Sequence, residues 1–267
     1  MGATIVTGGT FGIGRAITIE LARRGHSVVA FGLETAQPSS TAENAIPGLR
    51  GELSDAGLSA ELLEADVSNS DDVARVVQLA LDSFGGISCL VNNAAIGPLG
   101  TVLDTPEDLW DRIVAVNLKG MYLCCRQVIP HMIGAGGGAI VNIGSGSGWG
   151  KPNMAAYSAS KGGVFALGAA LAYDHLADGI RVNTVVPGGG GFPSGMSLGR
   201  RDGDRNLIAR TATHNPAGRA TTPEDVAKAV AYLLSDDAEA ITGTVLDVGC
   251  FAGQGGPIPA QTRNEAT

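Results

Sequence analysis

The sequence predicts a single α/β domain, a doubly wound parallel sheet of about seven strands with helices on both faces. Three observations lead there. Short apolar runs alternate with longer segments of helical period along the whole chain. The short runs, of which "ATIVT" is the first, read as buried strands, as a parallel sheet covered on both faces requires. No break in composition divides the 267 residues, so 1–267 reads as one domain.

The elements follow in order. Residues 3–7 form the first strand, and 13–25 an amphipathic helix closed by Gly25 as a C-cap. The second strand is 27–31. Residues 35–58, rich in Ser, Ala, Pro and Gly, read as a surface excursion, and 60–67 hold the third strand. The helix at 70–85 carries Asp71 and Asp72 in its first turn, where the helix dipole favours anions. The strand at 88–95 runs into a polar turn, and 106–132 carry one or two helices. A strand at 138–145, a helix at 155–176 and a strand at 180–186 come next. The helix at 223–236 has a proline near its start, and 244–248 is the last strand. In such a sheet ligands lie beyond the carboxyl ends of the strands. The glycine-rich segment after Pro187 leaves a strand at that end, so 189–216 reads as a lid over the site.

Composition narrows the function. The formal net charge of −8 offers no basic face for nucleic acid or an anionic membrane, so neither is expected as a partner. The first residues lack the basic segment and apolar core of a signal peptide, and no apolar run approaches the ~20 residues that span a bilayer. Cys89, Cys124, Cys125 and Cys250 form neither a CxxC pair nor a metal-ligand spacing with histidine. They read as buried free thiols of a reducing cytoplasm, and no metal is expected.

Two stretches carry chemistry. "TGGTFGIG" at 7–14 follows the first strand and opens the first helix, with Gly8, Gly12 and Gly14 in a G-x3-G-x-G spacing. Glycines there permit a tight turn and close approach of a pyrophosphate to the helix N-terminus. "AAYSASKGG" at 155–163 places Tyr157 and Lys161 four residues apart, on one face of a helix. A phenol with a pKa of ~10 is a poor base at neutral pH, and a neighbouring ammonium stabilises the phenolate. The small residues between the two leave room for a ligand. The preceding segment ends a strand with hydroxyls at Ser145 and Ser147.

These motifs do not stand alone. With "ADV" at 65–67, "NNAA" at 92–95, Asn117 in "VNLKG", "RVNTVVPG" at 181–188, "PEDVA" at 223–227 and "ITGTVLDVG" at 241–249, the chain resembles the classical short-chain dehydrogenase/reductase family from end to end. The resemblance implies a Rossmann-like fold and an NAD(P)-dependent oxidoreductase that moves a hydride between cofactor and a secondary alcohol or ketone. It implies Tyr157 as general acid/base, Lys161 as ribose ligand and electrostatic partner of the phenol, Ser145 as hydrogen-bond donor to the reacting oxygen, and Asn117 as holder of a water in a proton relay. It implies a cofactor bed of Gly8, Thr10, Phe11, Gly12, Ile13, Gly14, Gly32, Leu33, Asp66, Val67, Asn93, Ala94, Pro187, Gly188 and Gly190, with Tyr157 and Lys161 also touching the cofactor. Asp66 would meet the adenine. A homotetramer is implied as well, its helices 106–132 and 155–176 pairing across a two-fold axis.

The sequence departs from the family pattern in places. Ser145 lies twelve residues before Tyr157 where the family has thirteen, which reads as a deletion near Trp149. "PGGGGFPS" replaces the usual PGxxxT, and "VGCF" the usual VDGG. At the end of the second strand, where an acidic residue would bind the adenosine ribose of NAD, stands Gly32, followed by Leu33 and Glu34. No arginine stands there to receive a 2′-phosphate, and Phe11 replaces the basic residue common in NADP-binding relatives. NAD is therefore favoured over NADP, with Arg50 or the hydroxyls of Ser39, Ser40 and Thr41 able to reverse the choice. Two further functions fit this frame: a 3-oxoacyl thioester reductase, and a catalytically silent nucleotide-binding regulator. The presence of Asn117, Ser145, Tyr157 and Lys161 together argues against silence.

Overall fold

The computed structural model describes residues 2–34, 45–188, 196, 219 and 221–249. The strands are β1 (Ala3–Thr7), β2 (Val28–Gly32), β3 (Glu61–Glu64), β4 (Ile87–Asn92), β5 (Gly138–Ile143), β6 (Ile180–Val186) and β7 (Val245–Asp247). They form one sheet in the order β3-β2-β1-β4-β5-β6-β7, and every pairing is parallel. The expected fold class is the observed one. The order reverses between β1 and β4, and a crevice opens beyond the carboxyl ends of such a pair.

The helices are α1 (Gly12–Arg23), α2 (Ala45–Asp55), α3 (Ser70–Phe84), α4 (Glu107–Val114), α5 (Gly120–Gly134), α6 (Ala155–Asp174) and α7 (Pro223–Leu234). The buried faces fall into two cores, one on each side of the sheet. Val73 and Val77 of α3, Cys124 and Val128 of α5 and Val164 of α6 belong to one. Ile17 and Leu21 of α1, Leu49 and Leu53 of α2 and Val226 and Val230 of α7 belong to the other. All five residues of β1 are buried, as a strand covered on both faces demands.

Local chemistry sets the element ends. Asn69 caps α3 by accepting the amides of Asp71 and Asp72 at 2.9 and 3.3 Å, and Gly85 ends it in the left-handed region. Asp225 accepts the Thr222 amide at 2.8 Å and stabilises the start of α7. The Arg219 guanidinium beside Asp225 holds its carboxyl down at about 2.

Two sequence expectations change. Residues 35–58 are not simply an excursion, because α2 occupies 45–55 and buries Leu49 and Leu53. Pro47, Gly48 and Gly51 depress helix propensity there, but Pro47 sits in the first turn, where its missing amide costs nothing, and the i, i+4 leucines pack on the sheet. The helical segment 106–132 is continuous from α4 to α5 but widens into a π-helical turn at Ala115–Lys119, which contains Asn117. Such turns are uncommon and occur frequently at functional sites.

Cys89, Cys124 and Cys125 are free and buried, as expected, while Cys250 lies outside the described residues. Burial pushes the Cys125 thiol up to about 12 and raises Cys124 as well, which keeps both protonated and unreactive. Among the described residues no helix is long and apolar enough to cross a membrane, and no cluster of His, Cys, Asp or Glu could hold a metal ion. The expected lid at 189–216 also lies outside them, Met196 excepted.

Candidate active site

The crevice at the β1/β4 switch is built largely by backbone. Gly8 has a φ of 59° and Gly12 of 55°, a region in which side chains are strained. A Cβ on Gly8 would stand 2.9 Å from the Ala94 Cα. One on Gly14 would strike the Gly8 carbonyl oxygen and come within 2.5 Å of Asn93 Nδ2. The turn is tied to β4 by Thr7, whose Oγ1 accepts the amides of Asn93 and Ala94 at 2.9 Å each. Asn93 returns the tie, donating Nδ2 to the carbonyls of Thr7 and Gly8 at 3.0 Å each. Phe11 is the N-cap of α1 and gives no side-chain cap, so its first amides have no capping side chain. A turn emptied of side chains, ahead of uncapped helix amides, fits a dinucleotide pyrophosphate. Ile13 is partly buried in the first turn of α1, and Thr10 is buried.

The adenosine side shows why Gly32 stands where an acid was sought. A Cβ there would lie 2.7 Å from Thr10 Oγ1, so the threonine hydroxyl occupies that space. Leu33 follows in the open, partly exposed. Two carboxylates come near instead. Gly32 pairs with Glu64 across β2 and β3, and Glu64 Oε1 accepts the Glu34 amide at 3.3 Å. Arg15 in the first turn of α1 is engaged by Glu52 at 2.6 Å. Asp66 accepts the Ser68 amide and hydroxyl at 2.9 and 2.6 Å, and Arg112 stands 3.5 Å away. Val67 is buried, packed where a Cβ on Gly120 would meet it at 2.9 Å. Pro187 and Gly188 follow β6, and Gly188 is held close to Thr221 and Gly249. Gly190 lies outside the described residues.

Tyr157 lies in the first turn of α6 and is 7 % exposed, and Lys161 one turn on is 3 % exposed. The Lys161 Nζ lies 5.9 Å from the Tyr157 ring centroid. It donates to the Ile143 carbonyl at the end of β5 at 2.7 Å, which anchors the ammonium beside the phenol ring. Ser145 follows β5 in extended conformation, and its Oγ accepts the Ser147 amide at 3.2 Å. Ser147 turns inward, buried, with its hydroxyl 3.5 Å from the Met154 sulfur. Of the two serines only Ser145 is partly exposed.

Asn117 is buried in the π turn and sutures two segments. Its Oδ1 accepts the Ile96 amide at 2.8 Å, and its Nδ2 donates to the Ile96 carbonyl at 2.9 Å and to Ser160 Oγ at 3.0 Å. Ser160 in turn donates to the Tyr157 carbonyl at 2.8 Å. The small residues between Tyr157 and Lys161 are therefore not only room for a ligand: Ser160 joins α6 to the π turn, and Ser158 accepts the Lys151 amide at 3.3 Å. Thr7, Ile143 and Ser160 were not among the sequence candidates. Only Ser160, three residues past Tyr157 on one helix, had a readable position; the roles of the other two depend on strands distant in sequence. Just ahead of α6 two loops are pinned together. Gly100 donates its amide to the Asn153 carbonyl at 2.9 Å and accepts that of Ala155 at 3.1 Å.

A dinucleotide cradle at the switch point and a Tyr–Lys pair one helical turn apart define an oxidoreductase of the doubly wound class. The family model described as "Enoyl-(Acyl carrier protein) reductase" matches residues 8–250. A 2-(S)-hydroxypropyl-CoM dehydrogenase of Xanthobacter autotrophicus is 37 % identical over 91 % of this chain and 93 % of its own. A cis-4-hydroxycyclohexanecarboxylate dehydrogenase of Sinomonas cyclohexanicum is also 37 % identical, over 91 % and 93 %. Among solved structures, a variant of actinorhodin polyketide ketoreductase with NADPH superposes with a TM-score of 0.84 at 31 % identity, covering 94 % of this chain and 97 % of that one. The chain belongs to the short-chain dehydrogenase/reductase family, and it is an oxidoreductase.

Proposed function

We propose that the protein is an NAD-dependent dehydrogenase/reductase of a secondary alcohol and its ketone, with Tyr157 as general acid/base. The observation that carries this reading is the Lys161 ammonium, buried and anchored to Ile143 beside the Tyr157 ring. When bound, the nicotinamide supplies or accepts the hydride. In reduction Tyr157 gives its hydroxyl proton to the carbonyl oxygen, and in oxidation it takes the proton back. Lys161, anchored to Ile143 beside the ring, is placed to bind the ribose of the cofactor. Ser145 accepts a bond from Ser147, which leaves its own hydrogen to donate to the reacting oxygen as charge develops there. Both side-chain amide hydrogens of Asn117 are committed to Ile96 and Ser160, so a relay water at this position is held by main-chain atoms of the π turn.

The carboxylates of Glu34 and Glu64, and the neutralisation of Arg15 by Glu52, support NAD over NADP, because a 2′-phosphate beside them meets negative charge. Turnover of a panel of secondary alcohols and ketones with each cofactor tests the reading. The expected result is activity on at least one pair, with kcat/KM for NAD about tenfold or more above that for NADP, equivalent to about 1.4 kcal/mol. No turnover with either cofactor across alcohols, ketones and 3-oxoacyl thioesters would favour a silent nucleotide-binding regulator.

A homotetramer is proposed on exposed apolar surface. A groove of about 200 Å³ between α5 and α6 is lined by Tyr122, Cys125, Ile129, Leu167 and Leu171. Among the described residues β7 pairs only with β6, and Val245 on it and Tyr232 of α7 are both exposed. Two distinct surfaces, each self-paired across a two-fold axis, generate a tetramer. Light scattering at micromolar concentration should give four times the chain mass; a monomer would exclude the assembly. The buried free thiols Cys89, Cys124 and Cys125 support a cytoplasmic location.

A further inference from the structure

The six residues from Gly144 to Trp149 leave β5, carry Ser145 and turn once as a 3-10 helix at Gly146–Trp149. Three are glycines, Gly144, Gly146 and Gly148, whose φ lies outside the left-handed region, so backbone conformation does not explain Gly144 and Gly148. Space does. A Cβ on Gly144 would stand 2.7 Å from the Phe165 ring, and one on Gly148 would stand 2.5 Å from it. Trp149 then closes over the same ring, with centroids 4.5 Å apart and planes at 29°. One side chain of α6 is thus gripped before, within and after the turn that presents Ser145. Phe165 lies one helical turn beyond Lys161 and two beyond Tyr157, on the same helix face. The helix that carries the phenol and ammonium therefore also carries the peg around which the serine loop is wound. The loop is one residue shorter than the family spacing, which leaves it less slack to find the same position by other means.

We propose that Phe165, clamped by Gly144, Gly148 and Trp149, is a positioning residue that sets Ser145 against Tyr157. The proposal rests on the reading of Ser145 as donor to the reacting oxygen. Phe165 touches no reacting atom, and its effect on turnover passes through the serine. Catalytic hydrogen bonds tolerate little displacement, and a misplacement of about 1 Å costs on the order of 10²-fold.

The test is a double-mutant cycle of Ser145→Ala with Phe165→Leu, read as kcat, KM and cofactor Kd in the intact protein. Ser145→Ala alone should lower kcat by about 10²-fold or more, the loss typical of one such donor. Phe165→Leu alone should lower kcat by about 10-fold or more, with cofactor Kd unchanged, because the loop is freed while the cradle of β1 and α1 is untouched. In the Ser145→Ala background the same substitution should cost less than about threefold, since the group it positions is gone. Trp149→Ala, at a residue 48 % exposed, removes the clamp from outside and should show the same dependence on Ser145 without loss of fold. It decides the question if Phe165→Leu does not fold. Equal losses in both backgrounds would show that Phe165 and Trp149 act on general stability and would overturn the proposal. Full activity in Ser145→Ala would remove the serine reading and the proposal with it, a result distinct from additivity.

Discussion

Tyr157→Phe should keep the fold and cofactor affinity and lose about 10²–10⁴-fold in kcat, the contribution typical of a positioned acid/base. The substitution removes one oxygen and keeps the ring. Tyr157 is only 7 % exposed, so the ring contributes to packing at the start of α6, and phenylalanine preserves that packing. The carbonyl that receives the Ser160 hydroxyl belongs to the main chain and is unaffected. Lys161 keeps its bond to Ile143, so the ammonium stays in place. What disappears is the proton that must move as the carbonyl becomes an alcohol. Steady-state kinetics, a cofactor titration and a melting curve together check the claim. A variant that retains a large fraction of wild-type kcat would sink the acid/base assignment.

Gly14→Ala should weaken cofactor binding by about 100-fold or more, the equivalent of about 2.7 kcal/mol, and lower stability by about 1–3 kcal/mol through overpacking. The added methyl collides with the Gly8 carbonyl and with Asn93 Nδ2, and neither can retreat cheaply. Gly8 is main chain in a positive-φ turn. Asn93 is held by two carbonyls and by Thr7. Relief of the clash must move the turn on which a pyrophosphate would rest. The same methyl on Gly51, in α2, meets nothing within 4 Å and serves as the control, where alanine should be neutral or slightly stabilising. Calorimetric titration with NAD and thermal unfolding of both variants give the comparison. Wild-type affinity in Gly14→Ala would contradict the cradle.

The contrast between legible and illegible features has a physical basis. Gly8, Gly12 and Gly14 were readable because a tight turn between strand and helix constrains residue type at neighbouring positions. Tyr157 and Lys161 were readable because helical spacing alone brings them to one face. α2 was not, because its glycines and proline weaken the local signal and its stability comes from Leu49 and Leu53 packing on a sheet assembled from distant segments. The π turn at Asn117 was hidden for a similar reason: its bonds run to Ile96 and Ser160, one before it in the chain and one well after. Gly32 looked like a missing acid, and only the structure shows Thr10 filling that space. Gly144 and Gly148 carry no local signal of their role, which is to make room for one phenyl ring.

The central claim is hydride exchange between a nicotinamide cofactor and a secondary alcohol carbon, and isotope transfer tests it most directly. NADH carrying deuterium at the transferable ring position is incubated with the wild-type protein and the ketone that the cofactor panel identifies. The product alcohol is then read by mass spectrometry. The account predicts one deuterium per molecule on the carbinol carbon, of a single configuration, and almost none formed by Tyr157→Phe in the same time. Alcohol formed without deuterium on that carbon, or labelled alcohol produced equally fast by Tyr157→Phe, would contradict it.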